Sequence, residues 1–179
     1  EIKVGNMVSY DPVKKPKLND IKQALDILLK AKKPIIYSGG GVVNSGVKAS
    51  TALTDLVNYT NIPITQTLMG LGAVAANNKN FLGMLGMHGT YEANMAMHDC
   101  DVMLCVGARF DDRITGNLKY FSPNSKKIHI DIDPSSINKN VKVDLAVIGD
   151  CFYTLNMLMK ELKASKSKID KNSIDKWWK

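Results

Sequence analysis

The feature that most constrains the fold is the alternation of short, wholly apolar runs with longer segments whose apolar residues recur at helical spacing. The runs at 35–37 and 101–106 contain almost no polar residue, as expected of strands buried on both faces of a parallel sheet, and a further strand is predicted at 127–132. Helical spacing is clearest over 19–31 and 151–162, as it is in amphipathic helices. Strands alternating with helices indicate βαβ units. The sequence therefore predicts an α/β fold with a doubly wound parallel sheet of five or six strands flanked by helices.

The rest of the chain continues this order. Further strands are predicted at 62–66 and 144–148, further helices at 46–59 and 91–98, and glycine-containing loops at 67–72 and 82–89. Asn19 is the candidate N-cap of the first helix.

Three segments follow from this pattern: an incoming linker at 1–18, a central domain at 19–163 and an exit arm at 164–179. The arm is rich in Lys and Ser and ends in Trp177 and Trp178, which we expect to pack on a neighbouring domain. The chain begins with Glu1 rather than Met, so we expect it to be processed or trimmed from a longer polypeptide.

The charge of the chain lies on its flanks. The net charge is +7, with +4 in residues 1–33, +4 in residues 160–179 and −1 in the stretch between them. No basic patch interleaved with aromatic residues is present, which argues against a nucleic-acid partner. No apolar run approaches the roughly 18 residues that a membrane span needs. The pattern predicts solvated flanks around a near-neutral core.

Few residues suggest independent chemistry. The three cysteines form no CxxC pair, which predicts reduced thiols and a cytoplasmic location. The three histidines are scattered, with no acid or thiol at metal-ligand spacing, so no metal site is predicted. No nucleophile, base and acid are grouped in a recognisable motif, and no catalytic residue is predicted.

Glycines mark a possible phosphate site. In doubly wound sheets the ligand lies at the carboxyl ends of the strands, near the point where the strand order reverses. Gly39, Gly40 and Gly41 follow the first strand, and a turn at 86–89 precedes a helix. Such glycines let backbone N–H groups approach a pyrophosphate. For residues 39–41 a plain tight turn is an equal alternative.

Three carboxylates are candidates for contacting a nucleotide. Asp131 and Asp133 end a strand, where a carboxylate can accept hydrogen bonds from both ribose hydroxyls. Asp150 precedes a helix and could contact the nucleotide or serve as the helix N-cap.

The densest polar cluster lies at 107–113, directly after a buried strand. Arg109 could stack on a cofactor or neutralise its charge, and Arg113 offers a planar fork for a carboxylate. The alternative is a loop held by its own salt bridges.

Several of these motifs together resemble those of the catalytic subunits of acetolactate synthase. The resemblance covers roughly residues 19–163 and rests on the strings LGMHGT with EAN, VGARFDDR with TGN, HIDIDP with INK, the loop TLMGLG, the opening from Lys33 to Gly41, and Gly149 with Asp150. These strings are far more specific in combination than any single glycine motif.

The resemblance implies an enzyme that uses thiamine diphosphate. The family decarboxylates pyruvate and joins the two-carbon unit to a second 2-keto acid, pyruvate or 2-ketobutyrate, in branched-chain amino-acid biosynthesis. Its subunit has three α/β domains, of which the outer two bind thiamine diphosphate and Mg²⁺ and the central, Rossmann-like one binds FAD in a structural role. The family forms homo-oligomers with a regulatory small subunit. Its catalytic glutamate belongs to the amino-terminal domain, so we expect this chain to be inactive alone.

The resemblance also implies roles for individual residues. The residues implied to bind FAD are Thr67, Leu68, Gly86, Met87, His88, Gly89, Gly107, Ala108, Arg109, Asp111, Asp131, Ile132 and Asp150. Arg113 corresponds to the arginine associated with recognition of the second keto acid. Met87, Asp112 and Arg113 correspond to the channel where herbicidal inhibitors bind.

Three alternatives remain at this point. The chain could be the central domain of another thiamine-diphosphate enzyme, such as glyoxylate carboligase or pyruvate oxidase. It could be a nicotinamide-nucleotide module, although the zinc CxxC pairs usual in NAD-dependent deacetylases are absent. It could be a structural domain that holds no nucleotide alone, because the flavin of the family also contacts the amino-terminal domain.

Overall fold

The computed structural model describes Pro12 and residues 14–179. The strands are β1 (Pro34–Ser38), β2 (Ile64–Gln66), β3 (Phe81–Met84), β4 (Val102–Val106), β5 (Lys126–Asp131) and β6 (Leu145–Ile148). The helices are α1 (Leu18–Leu29), α2 (Gly40–Asn44), α3 (Val47–Thr60), α4 (Tyr91–Asp99), α5 (Asp112–Thr115), α6 (Cys151–Ala164) and α7 (Lys171–Trp177), with 3-10 turns at Leu68–Gly70 and Pro134–Ser136. No helix of the described chain is long and apolar enough to cross a membrane.

The six strands form one parallel sheet in the order β3-β2-β1-β4-β5-β6. This confirms the predicted doubly wound α/β fold. The order reverses between β1 and β4, which pair in register from Pro34 opposite Val102 to Ser38 opposite Val106. The loops that leave these two strands therefore diverge at the carboxyl edge, where such folds bind their ligands.

The sheet separates two apolar layers. Successive side chains of a strand point to opposite faces, so neighbouring residues enter different layers. Ile36 and Leu104 join the larger cluster, under α1, α3 and α6. Ile35 and Tyr37 join the smaller cluster, which includes residues of α4 and of the loop after β4. Burial on both faces explains why β4 is apolar throughout and why β1 is apolar up to its last residue, Ser38.

Three local predictions were wrong. Residues 81–84 form an edge strand where the glycine pattern predicted a loop at 82–89. This strand is only half-buried and contains Gly83 at φ 97°, so it lacks the apolar run that marks the other strands. The short helices α2 and α5 lie in segments predicted as loops. Asn19 lies inside α1, whose N-cap is Lys17.

The carboxyl-terminal tryptophans pack on this domain, so the expectation that they need a neighbouring one was wrong. The indole N–H of Trp177 donates to the Pro34 carbonyl at 3.0 Å, and that of Trp178 donates to the Asn61 carbonyl at 2.9 Å. Ile174 of α7 is buried in the larger cluster. The division into linker, central domain and exit arm stays a prediction, and most of the linker lies outside the described residues.

Candidate functional site

A cleft of about 550 Å³ opens at the carboxyl edge of the sheet, beside the point where the strand order reverses. It is bounded by the segments that follow β1, β2, β4 and β5. Its lining residues are Gly40, Gly41, Val43, Asn44, Thr67, Leu68, Met69, Gly107, Ala108, Arg109, Asp111, Arg113, Ile114, Asp131, Ile132 and Ser136. A volume of this size lies in the range of ordinary small-molecule sites.

Glycines bring the loops of this cleft together. The Gly41 N–H donates to the Gly107 carbonyl at 2.9 Å, and a Cβ on Gly41 would lie 2.7 Å from the Gly107 Cα. Gly107 has φ 56°, which favours glycine. A Cβ on Gly39 would likewise lie too close to the Cα of Ala108. These glycines therefore pack two loops against each other, and α2 is too short to offer a strong helix dipole to a phosphate.

Both arginines of the polar cluster line the cleft. The Arg109 Nη2 lies 3.1 Å from the Asp111 Oδ2, and both side chains are largely exposed. An exposed pair of this kind adds little stability, so it leaves the guanidinium available to a ligand. The Arg113 side chain is also exposed. The structure thus shows the salt-bridged loop, and it also places Arg109 and Arg113 at the cleft.

The carboxylates after β5 have different surroundings. Asp131 is nearly buried and lines the cleft; its Oδ1 accepts a hydrogen bond from the Asp133 N–H at 2.9 Å. Asp133 is exposed and caps the turn at Pro134–Ser136. The hydrogen bond from the Ser135 hydroxyl, with the Ser135 N–H, lowers the pKa of Asp133. Of the two, only Asp131 lines the cleft.

Asp150 is the N-cap of α6. Its Oδ1 accepts hydrogen bonds from the Phe152 N–H and from the Ser45 hydroxyl, both at 2.9 Å. The capping alternative is therefore observed, and Asp150 is absent from the cleft lining. Its bond to Ser45 ties α6 to the end of α2, beneath the cleft.

The predicted residues Gly86, Met87, His88 and Gly89 form a turn beside the cleft and are not among its lining residues. The Met87 N–H donates to the Arg113 carbonyl at 3.0 Å. Gly86 has φ 97°, and a Cβ there would lie 2.7 Å from the same carbonyl. Asn94 of α4 bonds both the N–H and the carbonyl of Gly86. The turn therefore supports the backbone of Arg113.

Some lining residues were not predicted from the sequence. Asn44 ends α2, Met69 belongs to the turn after β2, and Ser136 ends the turn after β5. Their position in the sequence could have identified them as lining residues, because each follows the carboxyl end of a predicted strand. Residue type alone does not distinguish Asn44 or Ser136 from an ordinary loop residue.

The thiols are not reactive groups of this site. Burial raises the pKa of Cys100 to about 11 and that of Cys151 to about 12. Burial also raises the pKa of Cys105 well above its ordinary value. The described residues contain no group of three His, Cys, Asp or Glu side chains that could hold a metal ion.

Comparison with known proteins agrees with this geometry. Residues 21–158 match the family described as the central domain of thiamine pyrophosphate enzymes. The match covers most of the chain and all six strands of the sheet. The chain therefore belongs to this family of domains.

The chain is also similar to curated acetolactate synthase large subunits. The chain is 48% identical over 170 residues to the acetolactate synthase large subunit of Buchnera aphidicola from Schizaphis graminum, covering 95% of this chain and 29% of that protein. It is 44% identical over 173 residues to the acetolactate synthase isozyme 3 large subunit of Escherichia coli K12, covering 97% and 30%. A probable acetolactate synthase large subunit of Methanococcus aeolicus is 44% identical over 176 residues, covering 96% and 29%. The chain thus spans less than a third of the length of these relatives.

Proposed function

We propose that this chain is the FAD-binding central domain of an acetolactate synthase catalytic subunit, with FAD bound in the cleft after β1, β2, β4 and β5. The observation that carries the proposal is the clustering of the predicted residues. Those that line the cleft are Thr67, Leu68, Gly107, Ala108, Arg109, Asp111, Arg113, Asp131 and Ile132. They come from three loops that are distant in sequence.

The chemistry of the cleft fits a flavin nucleotide. Leu68 and Met69 are exposed apolar side chains on one wall and suit a flat, largely apolar ring. Arg109 offers positive charge to a pyrophosphate, and Asp131 offers a carboxylate to ribose hydroxyls. Glycine backbone at Gly107 allows close approach. When bound, the flavin would supply no redox step to the net reaction and would serve a structural role.

The predicted residues outside the cleft have a different status. Gly86, Met87, His88, Gly89 and Asp150 stay predictions, because a ligand would have to extend beyond the cleft to reach them. The role of Arg113 in recognising the second keto acid also stays a prediction, supported by its exposure at the rim of the cleft.

For the whole enzyme, we propose condensation of pyruvate with pyruvate or 2-ketobutyrate, with loss of CO₂. Thiamine diphosphate, held with Mg²⁺ by other domains, would supply the decarboxylation chemistry. The names of the relatives favour this reaction over those of glyoxylate carboligase or pyruvate oxidase. The same names include the words "large subunit", which supports a small-subunit partner; a homo-oligomer stays an expectation from the resemblance. The three buried free thiols support a cytoplasmic location.

The test is a titration of the 179-residue chain with FAD, followed by flavin fluorescence and thermal shift, with NAD as the comparison ligand. We expect saturable FAD binding that weakens in Arg109→Ala. Lys30→Ala is the matched control, because it also removes the cation of an exposed ion pair, with Asp26 on α1. Tight NAD binding, or equal FAD affinity in the two variants, would contradict the cofactor assignment.

A second experiment tests the division of labour between domains. We expect the pure chain to form no acetolactate from pyruvate when thiamine diphosphate and Mg²⁺ are supplied. The reason is that the resemblance assigns the catalytic glutamate, and the binding of thiamine diphosphate and Mg²⁺, to other domains of the family. Acetolactate formation by the chain alone would contradict this proposal.

A further inference from the structure

Three consecutive carbonyls of the loop after β4 accept hydrogen bonds from side chains. The His129 Nε2 lies 2.8 Å from the Ala108 oxygen. The Tyr37 hydroxyl donates to the Arg109 carbonyl at 2.9 Å. The Asn140 side-chain amide donates to the Phe110 carbonyl at 2.8 Å. We call these three side chains the carbonyl clamp.

The donors of the carbonyl clamp come from both sides of the loop. Tyr37 lies on β1 and His129 on β5, the two strands that flank β4. Both side chains are completely buried. A carbonyl can only accept, so the His129 ring carries its proton on Nε2, and its buried Nδ1 has no hydrogen-bond partner among the described residues. Two of the three donors of the carbonyl clamp therefore belong to the sheet itself.

The ring of Phe110 also holds the same loop in place, through contacts with the rings of Tyr37 and His129. Its centroid lies 5.8 Å from that of Tyr37 and 5.1 Å from that of His129, the latter edge to face. Phe110 is buried, whereas the Arg109 side chain before it is about two-thirds exposed. With the carbonyls and Phe110 held inward, the Arg109 side chain is left at the cleft.

We propose that Tyr37 is a positioning residue, whose hydroxyl fixes the Arg109 backbone so that the guanidinium meets an anionic ligand in the cleft. That this ligand is a flavin dinucleotide rests on the proposed function. Tyr37 does not line the cleft, so it acts through Arg109. Arginine has a long, flexible side chain, and the ion pair that Arg109 makes with Asp111 is exposed. The buried hydrogen bond from the Tyr37 hydroxyl to the Arg109 carbonyl therefore fixes the backbone position from which the Arg109 side chain extends.

The state of the Tyr37 hydroxyl supports this role. Burial, reinforced by Cys105 and Asp111, raises its pKa well above the ordinary value of 10.0. The group therefore keeps its proton, and remains a donor to the Arg109 carbonyl, over the whole working pH range.

The test compares Tyr37→Phe with Thr60→Val. Each removes one hydroxyl that donates to a backbone carbonyl, and the Thr60 bond to Leu56, 2.8 Å long, lies on α3 away from the cleft. The first readout is FAD affinity, measured well below the unfolding temperature and repeated in an Arg109→Ala background. The second readout is amide hydrogen exchange of residues 109–113, which requires no ligand.

We expect Tyr37→Phe to weaken FAD binding about tenfold, the effect of one lost buried hydrogen bond. We expect no further loss when Tyr37→Phe is added to Arg109→Ala, because residues acting through one contact are not additive. Exchange in 109–113 should become about tenfold faster in Tyr37→Phe and stay unchanged in Thr60→Val.

The outcomes separate the two proposals. If the unchanged chain binds no FAD, the cofactor assignment for the chain fails, and hydrogen exchange alone decides the role of Tyr37. If exchange in 109–113 is the same in Tyr37→Phe as in the unchanged chain, the positioning role is wrong. Additive losses of affinity in the Tyr37→Phe, Arg109→Ala double variant would also overturn it.

Discussion

The contact between Gly41 and Gly107 provides a sharp test of how the cleft is assembled. Gly40 and Gly41 are neighbours in α2, so replacing either with Ala changes helix propensity and unfolded-state entropy by a similar amount. Their surroundings differ. A Cβ on Gly41 would lie 2.7 Å from the Gly107 Cα and 2.9 Å from its carbonyl oxygen, whereas a Cβ on Gly40 would lie 3.2 Å from the Cβ of the exposed Met69.

The magnitudes follow from these distances. Ala in place of a helical Gly gains about 0.4–1 kcal/mol where no contact opposes it. The Cβ of Met69 and its carbonyl oxygen, at 3.3 Å, need to shift by only a few tenths of an ångström, which offsets this gain, so we expect Gly40→Ala to be near neutral. The backbone of Gly107 cannot yield without moving the loop after β4, and overpacking of this kind costs about 1–3 kcal/mol. We therefore expect Gly41→Ala to lower the free energy of unfolding by about 2 kcal/mol relative to Gly40→Ala.

The assay is urea unfolding of both variants and the unchanged chain, followed by circular dichroism and checked by thermal unfolding. A difference of about 2 kcal/mol corresponds to roughly 4–8 °C in Tm for a domain of this size. Gly40→Ala serves as the matched control. Equal unfolding free energies for the two variants would refute the view that close packing of Gly41 on Gly107 holds the cleft together.

Three further predictions concern other parts of the molecule. Ile174→Ala should cost about 2–4 kcal/mol of unfolding free energy, because Ile174 is buried in the core, while exposed Lys171→Ala should cost less than 0.5; similar values would mean that α7 is not docked. Asp150→Ala should cost about 1 kcal/mol through loss of the α6 cap, whereas Asp150→Asn keeps a capping oxygen and should be near neutral; an equal loss in both would contradict the capping role. The thiols of Cys100 and Cys151 ionise in the unfolded chain near 9.0 but in the folded protein only at about 11 and 12, so stability should fall as pH rises from 9 towards 12. Replacing both with Ala should make that decline shallower when unfolding free energy is measured between pH 8 and 11. An unchanged dependence of the unfolding free energy on pH would contradict the raised pKa values of these two thiols.

The sequence best predicted which residues line the cleft where those residues lie at or shortly after the end of a strand. Arg109 lies three residues after the apolar strand β4, and Asp131 ends β5, so their position at the carboxyl edge followed from the predicted strands and the fold class. The particular roles given to these residues came from the resemblance to acetolactate synthases, because spacing alone left a salt-bridged loop equally open. Asp150 shows where prediction from the sequence stops, because a carboxylate just before a helix gives the same sequence pattern whether it caps the helix or binds a ligand.

The sequence by itself determined the class of fold and the order of its main elements. A strand buried on both faces is mostly apolar, and an amphipathic helix repeats its apolar residues every three or four positions, so both leave a local pattern. The edge strand β3 left none, because it is half-buried and interrupted by Gly83.

The tertiary structure alone decided which distant groups meet. The Tyr37 hydroxyl and the Arg109 carbonyl are 72 residues apart, and the Trp177 indole and the Pro34 carbonyl are 143 apart. Neither partner marks the other in the sequence, since any carbonyl can accept and any tyrosine can donate. The first pair forms because the strand order places β1 beside β4, and the second forms because α7 packs back onto the domain. Both arrangements are properties of the folded chain.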